Sequence, residues 1–436
     1  MNAGSEYPDR IRVFMTRYRT AFPILLSLTS LYFFAYFQRI GIPGMIFDEL
    51  QIDLGLTASG VTLLGAMYLY VYGGMQLFVG LLSDRHGFGR VFLVGSAALT
   101  AGSLVFPLCH QPLLLYGARA LVGFGGSLLF ICLVKGINHL TAPRHFAIML
   151  SLAQFLGFFG GLAATYPLAA LSHAVGWRRA LLLAGLITAV LTVGLWRVLR
   201  RAKLLEVPSR AQVVEHLMGQ VLRNRELWKI MPACAVNFAI YFVAQATIGK
   251  KLLADCFQMT PQDSSAFMFI MLLISMVGTL LSGFILKLCH NRFKVILITG
   301  WFMLAISCGG LVLALSPGLH SATGVKACYL GLAAASFVGP IYTAGVTGMV
   351  ASETLGTAVG FMNGALYVLI AVLANGSGLI LDLYRNEAVR TPTAWIYPMA
   401  AYRWIFIVCL GLCAMALPLL LRFREPRTTE GARGGA

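Results

Sequence analysis

The chain consists of long apolar runs separated by short segments that are charged, polar or rich in proline and glycine. A helix needs about 20 apolar residues to cross roughly 30 Å of hydrocarbon, and each run is close to that length. The pattern therefore predicts twelve transmembrane helices. In chain order they cover residues 22–46, 58–82, 91–109, 112–136, 146–172, 179–199, 230–252, 265–288, 294–315, 326–350, 356–382 and 402–422.

The composition agrees with an integral membrane protein. Of the 436 residues, 58% are hydrophobic and only 11% are charged, and the mean hydropathy is +0.80. Soluble domains carry about 25% charged residues. The first apolar run follows several arginines, as a secretory signal would, but it is too long and lacks a small-x-small cleavage site, so we expect a retained span.

The nine cysteines lie singly in or near apolar runs, without a CxxC pair or a zinc-type spacing to histidine. We therefore predict no disulfide framework, no metal site and no cofactor. The sequence also contains no P-loop and no Ser/His/Asp constellation, so we do not expect an enzyme.

The formal net charge is +17, but the basic residues are not gathered in one patch, which argues against a nucleic-acid partner. Most of the 33 Lys and Arg residues fall in the tails and loops on the side of the N-terminus. Because cytoplasmic loops carry an excess of Lys and Arg, we expect a multi-pass protein of the cell inner (plasma) membrane with both termini in the cytoplasm.

The longest connection, from Arg197 to Lys229, separates six spans from six. It is basic, and its segment "VVEHLMGQVLRNRELW" can form an amphipathic helix at the membrane surface. We predict an all-α integral membrane protein of two six-helix bundles related as a pseudo-repeat. The expected divisions are an N-terminal tail (1–21), a first bundle (22–199), a cytoplasmic linker (200–229), a second bundle (230–422) and a C-terminal tail (423–436).

Three motifs carry a family resemblance. "GLLSDRHGFGR" (80–90) resembles the loop 2/3 signature G-x-L-x-D-R-x-G-x-R-R of the major facilitator superfamily, with Gly89 where a basic residue is usual. "RALVGFGG", beginning at Arg119, resembles the fourth-span motif, and "GGLAATYPLAALSHAVGWR" (160–178) resembles the fifth span and outer loop of many bacterial members. The chain is identified as a member of this superfamily.

The resemblance implies roles for the motif residues. The glycines would permit a tight inner turn, and Asp84 would pair with nearby arginines or cap a helix N-terminus. Such contacts would form a latch that breaks when the halves rock. Arg119 would have a coupling or a structural role, and the structural role is favoured. The expected gating residues are Asp84, Arg85, Gly87, Arg90 and Arg119.

A finer resemblance concerns the substrate. Tyr36, Arg39, Tyr72 and Gln76, with "GTAVGF" (356–361), resemble the organophosphate/phosphate antiporter and anion:cation symporter branches, in which the first-span arginine binds an anion. Two features of the phosphate branch are missing. Ala244 stands where a second arginine is expected, and the fifth span reads "AQFLGFFGG" without a histidine. An anion is therefore expected, but not specifically a phosphate ester.

The residues of the first span support this expectation independently. Tyr32, Tyr36 and Arg39 follow the i, i+4, i+7 spacing of one helix face. A charge inside a span is costly, so an unpaired arginine there is a functional hypothesis by default. The alternative is an arginine that bonds backbone carbonyls or extends outward toward Asp48 and Glu49.

Two further spans carry polar stripes at four-residue spacing, one with Tyr68 and one with Asn237. Such stripes face either a protein-lined cavity or another helix, because lipid cannot satisfy them. We expect a central cavity. Its predicted substrate-binding residues are Tyr32, Tyr36, Arg39, Tyr72, Gln76, Asn237, Tyr241 and Gln245, whereas Gln154, Tyr342, Asn363 and Tyr367 are interpreted as packing residues.

All sixteen acidic residues fall at span ends, in loops or in tails, so proton symport is not supported by a membrane-embedded carboxylate. A carboxylate near the outer mouth could still serve as the proton carrier.

The predicted function is secondary active transport of a small organic anion, a carboxylate or sugar acid, by alternating access. The alternatives are efflux of amphipathic compounds and, with less support, a transporter-like receptor. The expected partners are the anionic substrate and the lipid bilayer, with a coupling ion left open. Two complete halves need no second chain to form the cavity, so we expect a monomer.

Overall fold

The structure, a computed structural model, describes residues 6–205, 217–290, 292–347 and 349–423. Residues 6–205 are called the N-terminal half. Its helices are α1 (Glu6–Gly41), α2 (Phe47–Asp53), α3 (Ala58–Met75), α4 (Val79–His86), α5 (Phe88–Leu108), α6 (Pro112–Leu140), α7 (Pro143–Ala163), α8 (Tyr166–Val175) and α9 (Trp177–Arg201), with a 3₁₀ turn at Gly44–Ile46.

The described residues from 217 onward are called the C-terminal half. Its helices are α10 (Leu217–Arg223), α11 (Arg225–Phe242), α12 (Gly249–Phe257), α13 (Pro261–Leu288), α14 (Phe293–Ala314), α15 (Ala322–Ala335), α16 (Gly339–Thr347), α17 (Ser352–Leu383) and α18 (Met399–Arg422). Three short elements complete it: a π-helical turn at Val243–Thr247, a 3₁₀ turn at Ser336–Val338 and a hairpin of β1 (Val389–Arg390) and β2 (Trp395–Ile396).

The prediction of twelve spans is confirmed. Among the described residues, ten helical segments are long and apolar enough to cross a bilayer, and two bent helix pairs raise the number to twelve. The bent pairs are α3 with α4, at 58°, and α7 with α8, at 40°. Glycine pairs precede both breaks, at residues 73–74 and 160–161, and glycine weakens a helix interior.

Other boundaries differ from the sequence prediction. The predicted first span, 22–46, ends as a helix at Gly41, because Pro43 cannot donate to the helical ladder and disfavours the α conformation of the residue before it. The predicted seventh span, 230–252, is divided among α11, the π-helical turn and α12. Of the amphipathic segment predicted in the linker, the structure describes a helix from Leu217; residues 206–216 and 424–436 lie outside the described residues.

The two halves repeat one arrangement of spans. In the N-terminal half α1 packs on α7, and α5 packs on α6 and α9. In the C-terminal half the equivalent spans pack in the same way, with α11 on α17 and α14 on α15 and α18. The predicted pair of six-helix bundles is therefore confirmed.

The halves meet along α3 and α17 and at the end of the molecule opposite the chain termini, called the far end. There Asp382 of α17 accepts hydrogen bonds from the backbone N–H groups of Ala58 (2.8 Å) and Ser59 (3.0 Å) at the start of α3. Gln51 donates to the Tyr397 hydroxyl at 2.8 Å across the same seam. These bonds hold the far end closed.

Glycine permits close helix contacts within the N-terminal half. A Cβ atom added to Gly123 of α6 would collide with the backbone of Tyr68 in α3, and one added to Gly125 would collide with Leu99 in α5. The glycines of the "RALVGFGG" motif therefore let α6 approach two neighbouring helices, and they fix the helix that carries Arg119.

We expect Gly123→Ala to destabilise the protein, because the added methyl group meets backbone rather than a flexible side chain. Overpacking of this kind costs about 1–3 kcal/mol. Thermal unfolding of the purified protein in detergent should show a lower midpoint. Gly117→Ala, on the same helix with open space around it, is the matched control and should not lower the midpoint. Equal midpoints for the two variants would contradict the packing argument.

Candidate functional site

Arg39 lies in the last turn of α1, with only 6% of its surface exposed. Its guanidinium carbon is 4.0 Å from the ring centroid of Tyr36, 5.2 Å from that of Tyr72 and 5.6 Å from that of Tyr367. Aromatic faces attract a cation at such distances, and more strongly where water is excluded. The predicted first-span arginine is thus buried among three tyrosines from α1, α3 and α17.

One guanidinium nitrogen of Arg39 donates a hydrogen bond to the Tyr367 hydroxyl, which joins the two halves. The Nε atom is also buried but has no acceptor. Among the described residues no carboxylate lies within ion-pair distance of Arg39. The charge is therefore held by tyrosines alone, with one donor edge unused.

Tyr367 was interpreted as a packing residue, and the structure places it in the cluster instead. Its ring lies 4.4 Å from that of Tyr72 between centroids, in addition to its bond to Arg39. The signal in the sequence was one polar ring, one turn after Asn363 on an apolar helix. That signal does not distinguish a contact in the cavity from a contact between helices.

Tyr32 and Tyr36 extend the cluster along α1 toward the end with the termini. Their rings form an edge contact at 5.3 Å, Tyr32 stacks on Phe130 at 5.5 Å, and Tyr36 meets Phe158 edge-on at 5.5 Å. The two phenylalanines were not predicted, because phenylalanine is common in every span of this chain. The wall beside Arg39 is therefore aromatic.

The polar stripe of the C-terminal half is buried but lies apart from the Arg39 bond network. Asn237 is 1% exposed and Gln245 is not exposed at all, and neither side-chain amide has a hydrogen-bond partner. Tyr241, between them in sequence, is also buried. Gln245 lies in the π-helical turn, a geometry frequent at functional sites. Buried amides without partners are unusual and are suited to receive a polar ligand.

Gln76 ends α3 and is likewise buried, and its Nε2 atom has no acceptor. It forms a buried stripe with Tyr68 and Tyr72, whose rings stack with their centroids 5.8 Å apart.

The alternative partners of Arg39 are engaged elsewhere. Asp48 bonds the ammonium group of Lys251 at 2.5 Å, and Glu49 lies 4.0 Å from that of Lys250. An outward-extended Arg39 paired with either carboxylate is therefore not the observed arrangement.

Arg119 is surrounded by backbone. Its guanidinium donates to the carbonyl oxygens of Leu64 (3.1 Å), Gln38 (3.1 Å) and Ile42 (3.4 Å). Because α1 ends at Gly41, its last carbonyls have no helical N–H partner. Arg119 thus supplies donors to the end of α1 and joins it to α3.

The loop motif lies at the end with the termini. Asp84 forms an ion pair with Lys135 of α6 at 2.7 Å rather than with an arginine, and Arg85 is exposed. Gly87 has φ +80°, a value that favours glycine in the tight turn between α4 and α5. A Cβ atom at Gly89 would collide with the Leu204 carbonyl, and Arg90 donates to that of Leu205. Gly89, which stands where the motif usually has a basic residue, therefore leaves space for the chain after α9.

Within the described residues no group of three or more His, Cys, Asp or Glu side chains could hold a metal ion.

The sequence profile of the Major Facilitator Superfamily matches residues 28–374. The chain is 24% identical over 221 residues to the uncharacterized transporter YybO of Bacillus subtilis, which is 47% of this chain and 51% of that protein. It is 27% identical over 192 residues to the "Probable sulfoacetate transporter SauU" of Cupriavidus necator (39% and 40%), and 28% identical over 220 residues to the multidrug transporter MdfA of Yersinia pestis (48% and 47%). The chain spans about half the length, or less, of these curated relatives.

Two solved structures share the fold. A bacterial homolog of the human lysosomal transporter Spinster, in an inward-facing and unoccupied conformation, superposes with a TM-score of 0.74 at 15% identity, over 94% of this chain and 99% of that one. A D-xylose-proton symporter superposes with a TM-score of 0.70 at 14% identity, over 93% and 98%.

We expect Arg119→Met to lower the thermal stability of the protein, because the carbonyls of Gln38 and Ile42, at and just after the end of α1, lose this donor. Each unsatisfied buried group costs about 1–3 kcal/mol. The midpoint of thermal unfolding in detergent measures the effect, and Arg179→Gln, at an exposed arginine of α9, controls for the loss of charge. An Arg119→Met protein that melts like the native one but no longer responds to substrate would instead indicate a coupling role.

Proposed function

We propose a substrate class for this chain, which belongs to the Major Facilitator Superfamily and is a secondary transporter of the membrane. The substrate is a small organic anion with a single negative charge, a carboxylate or sugar acid, moved by alternating access. This proposal places the chain near the organophosphate/phosphate antiporter and anion:cation symporter branches. It acts as a monomer, with the far end outside the cell.

One observation carries the proposal: Arg39 is a buried cation whose Nε donor is unused. A guanidinium group can bind a carboxylate through parallel N–H bonds, and the unused Nε donor of Arg39 offers one of them. A buried charge without a counter-ion is costly, and an anion that enters the site removes this cost.

The charge around the site supports an anion with one negative charge. Arg119, the other buried arginine nearby, already donates to three carbonyl groups. The lysines of α12 are paired with Asp48, Asp255 and Glu49 at the far end. A dianion would thus meet one available cation, and its second charge would enter the site without compensation.

The unpaired amides of Asn237 and Gln245 support a substrate with hydrogen-bonding groups besides its charge. Each amide offers both a donor and an acceptor, which suits the hydroxyl groups of a sugar acid. SauU of Cupriavidus necator is a relative named as a probable sulfoacetate transporter, and sulfoacetate is an organic anion, although one with two negative charges.

A second candidate is efflux of amphipathic compounds. The aromatic wall formed by Tyr32, Tyr36, Phe130 and Phe158 favours it, because such rings accept apolar groups of varied shape. MdfA of Yersinia pestis is a multidrug transporter by name.

The motif at the end with the termini is proposed to gate that end. The contacts of the loop between α4 and α5 would hold this loop in its closed arrangement until the halves move. These contacts involve Asp84 with its partner Lys135, and Arg85, Gly87 and Arg90. Arg119 would act from the bundle interior by fixing the end of α1.

We expect Arg39→Gln to weaken anion binding roughly 10- to 100-fold, since a hydrogen bond to a charged group contributes about 1.5–3 kcal/mol. Ligand-induced thermal stabilisation of the purified protein, read against acetate, lactate, gluconate and glucuronate, measures it. Arg179→Gln removes an equal charge at an exposed site and should leave the response unchanged. Stabilisation by cationic amphiphiles alone, or equal anion responses of native and Arg39→Gln protein, would favour efflux and defeat the anion proposal.

We expect Gln245→Leu to reduce the advantage of a hydroxylated acid over an alkyl acid. The variant keeps the buried volume but removes an unpaired amide, so gluconate should lose affinity while hexanoate keeps or gains it. The ratio of the two dissociation constants, from competition in the same assay, gives the result. An unchanged ratio would place the hydroxyl groups of the substrate elsewhere.

A further inference from the structure

A buried charge cluster lies at the far end, beyond the seventh span and outside the site of Arg39. The ammonium group of Lys251, wholly buried, donates to Asp48 at 2.5 Å, to Asp255 at 3.2 Å and to the Trp395 carbonyl at 2.7 Å. Its three protons are thereby all used. Asp255 is almost as buried, with 3% of its side chain exposed, whereas 23% of the Asp48 side chain is exposed.

The cluster joins the two halves. Asp48 belongs to α2 of the N-terminal half, and Lys251 and Asp255 lie one turn apart on α12 of the C-terminal half. Lys250, the neighbouring lysine, donates to the Met45 carbonyl across the same seam. If the far end opens, Asp48 must leave Lys251, whereas Asp255 keeps its partner on its own helix.

The cluster also carries an excess of negative charge. Two carboxylates share one ammonium group, and that group and Asp255 are almost completely buried, so one negative charge has no counter-ion. One proton bound to Asp255 would balance the charge of the cluster.

We propose that Asp48, Lys251 and Asp255 form a proton-binding site, so that closure of the far end takes up one proton and opening releases it. The proton passes between water and a carboxylate oxygen of Asp255, and no other bond changes. This goes beyond the proposed function, because it holds for any substrate.

The groups that face Asp255 come from several elements. On α12 they are Lys251 and the thiol of Cys256, and from α2 the carboxylate of Asp48. Its Oδ2 atom accepts hydrogen bonds from the Tyr402 hydroxyl of α18 at 2.6 Å and from the Tyr397 backbone N–H at 3.0 Å. Lys251 and these two donors favour the ionised carboxylate, whereas burial and Asp48 oppose it.

Burial has the larger effect and raises the pKa of Asp255 to about 6 in the closed state. Exposure to water on opening returns the pKa toward its ordinary value of about 3.9. The closed state therefore binds the proton more tightly, and acid favours closure. This contribution is complete below about pH 4 and is lost as the pH rises through about 6.

The test measures the distance between the halves at the far end. Spin labels are introduced as noncanonical amino acids at His110 and His320, both of which are exposed. Pulsed electron paramagnetic resonance then reports the distance between them, on the full chain in nanodiscs without substrate. From pH 7.5 to pH 5.0 the ratio of closed to open protein should rise about tenfold, as the two pKa values require.

Asp255→Asn imitates the protonated carboxylate and should abolish the pH response. Asp53→Asn is the matched control and should keep the tenfold response, because within the described part of the chain Asp53 bonds only Trp177 and Arg178 of its own half. If Asp255→Asn does not fold, Asp48→Asn replaces it. That variant leaves one carboxylate for one ammonium group but keeps Asp255 buried, so its response should be smaller than tenfold.

The proposal is overturned if the distances in the native protein do not change with pH. It is also overturned if the tenfold response persists in Asp255→Asn or in its replacement, Asp48→Asn. Since no substrate is present, failure of the anion proposal would not alter these results, and failure here would leave the binding of anions to Arg39 unaffected.

Discussion

The absence of water from the hydrocarbon interior governs this structure, because every polar group buried there needs a partner within the protein. Helix α1 ends inside the bundle, at Gly41, and its last carbonyls lose their helical donors. Two arginines lie at this helix end, where a cation is favoured by the helix dipole. Arg119 donates to three carbonyls, whereas Arg39 keeps an unused donor among tyrosine rings. The same local constraint thus yields one structural cation and one available cation.

The position of Arg39 connects binding to movement. Its only hydrogen bond crosses from the N-terminal half to Tyr367 in the C-terminal half, among the contacts of the described residues. Tyr72 and Tyr367 meet on the same seam. In alternating access the halves rock around a site between them, so a ligand on Arg39 would alter the contact that joins the halves. If the proposed anion binds at Arg39, this cluster would link substrate binding to conformation.

The far end is closed by a polar seam rather than an apolar one. Lys251 uses all three protons, and Asp255 accepts three hydrogen bonds from Lys251, Tyr397 and Tyr402. Groups of this kind are satisfied by one another when the seam is closed and by water when it is open. An apolar seam of equal area would strongly favour the closed state alone. The polar seam can therefore separate at a modest free-energy difference.

The sequence alone determined the membrane architecture, because the thickness of the hydrocarbon sets the length of each apolar run. It also singled out Arg39, since a charge is rare in such a run. It did not reveal Tyr367, 328 residues away from Arg39, or the pairing of Lys251 with Asp48, 203 residues apart. Periodicity fixes the face of one helix on which a residue lies, but not the helix that this face meets. Only the packing of the two halves decided that Asp48 and Glu49 meet lysines and that Arg39 has no carboxylate partner among the described residues.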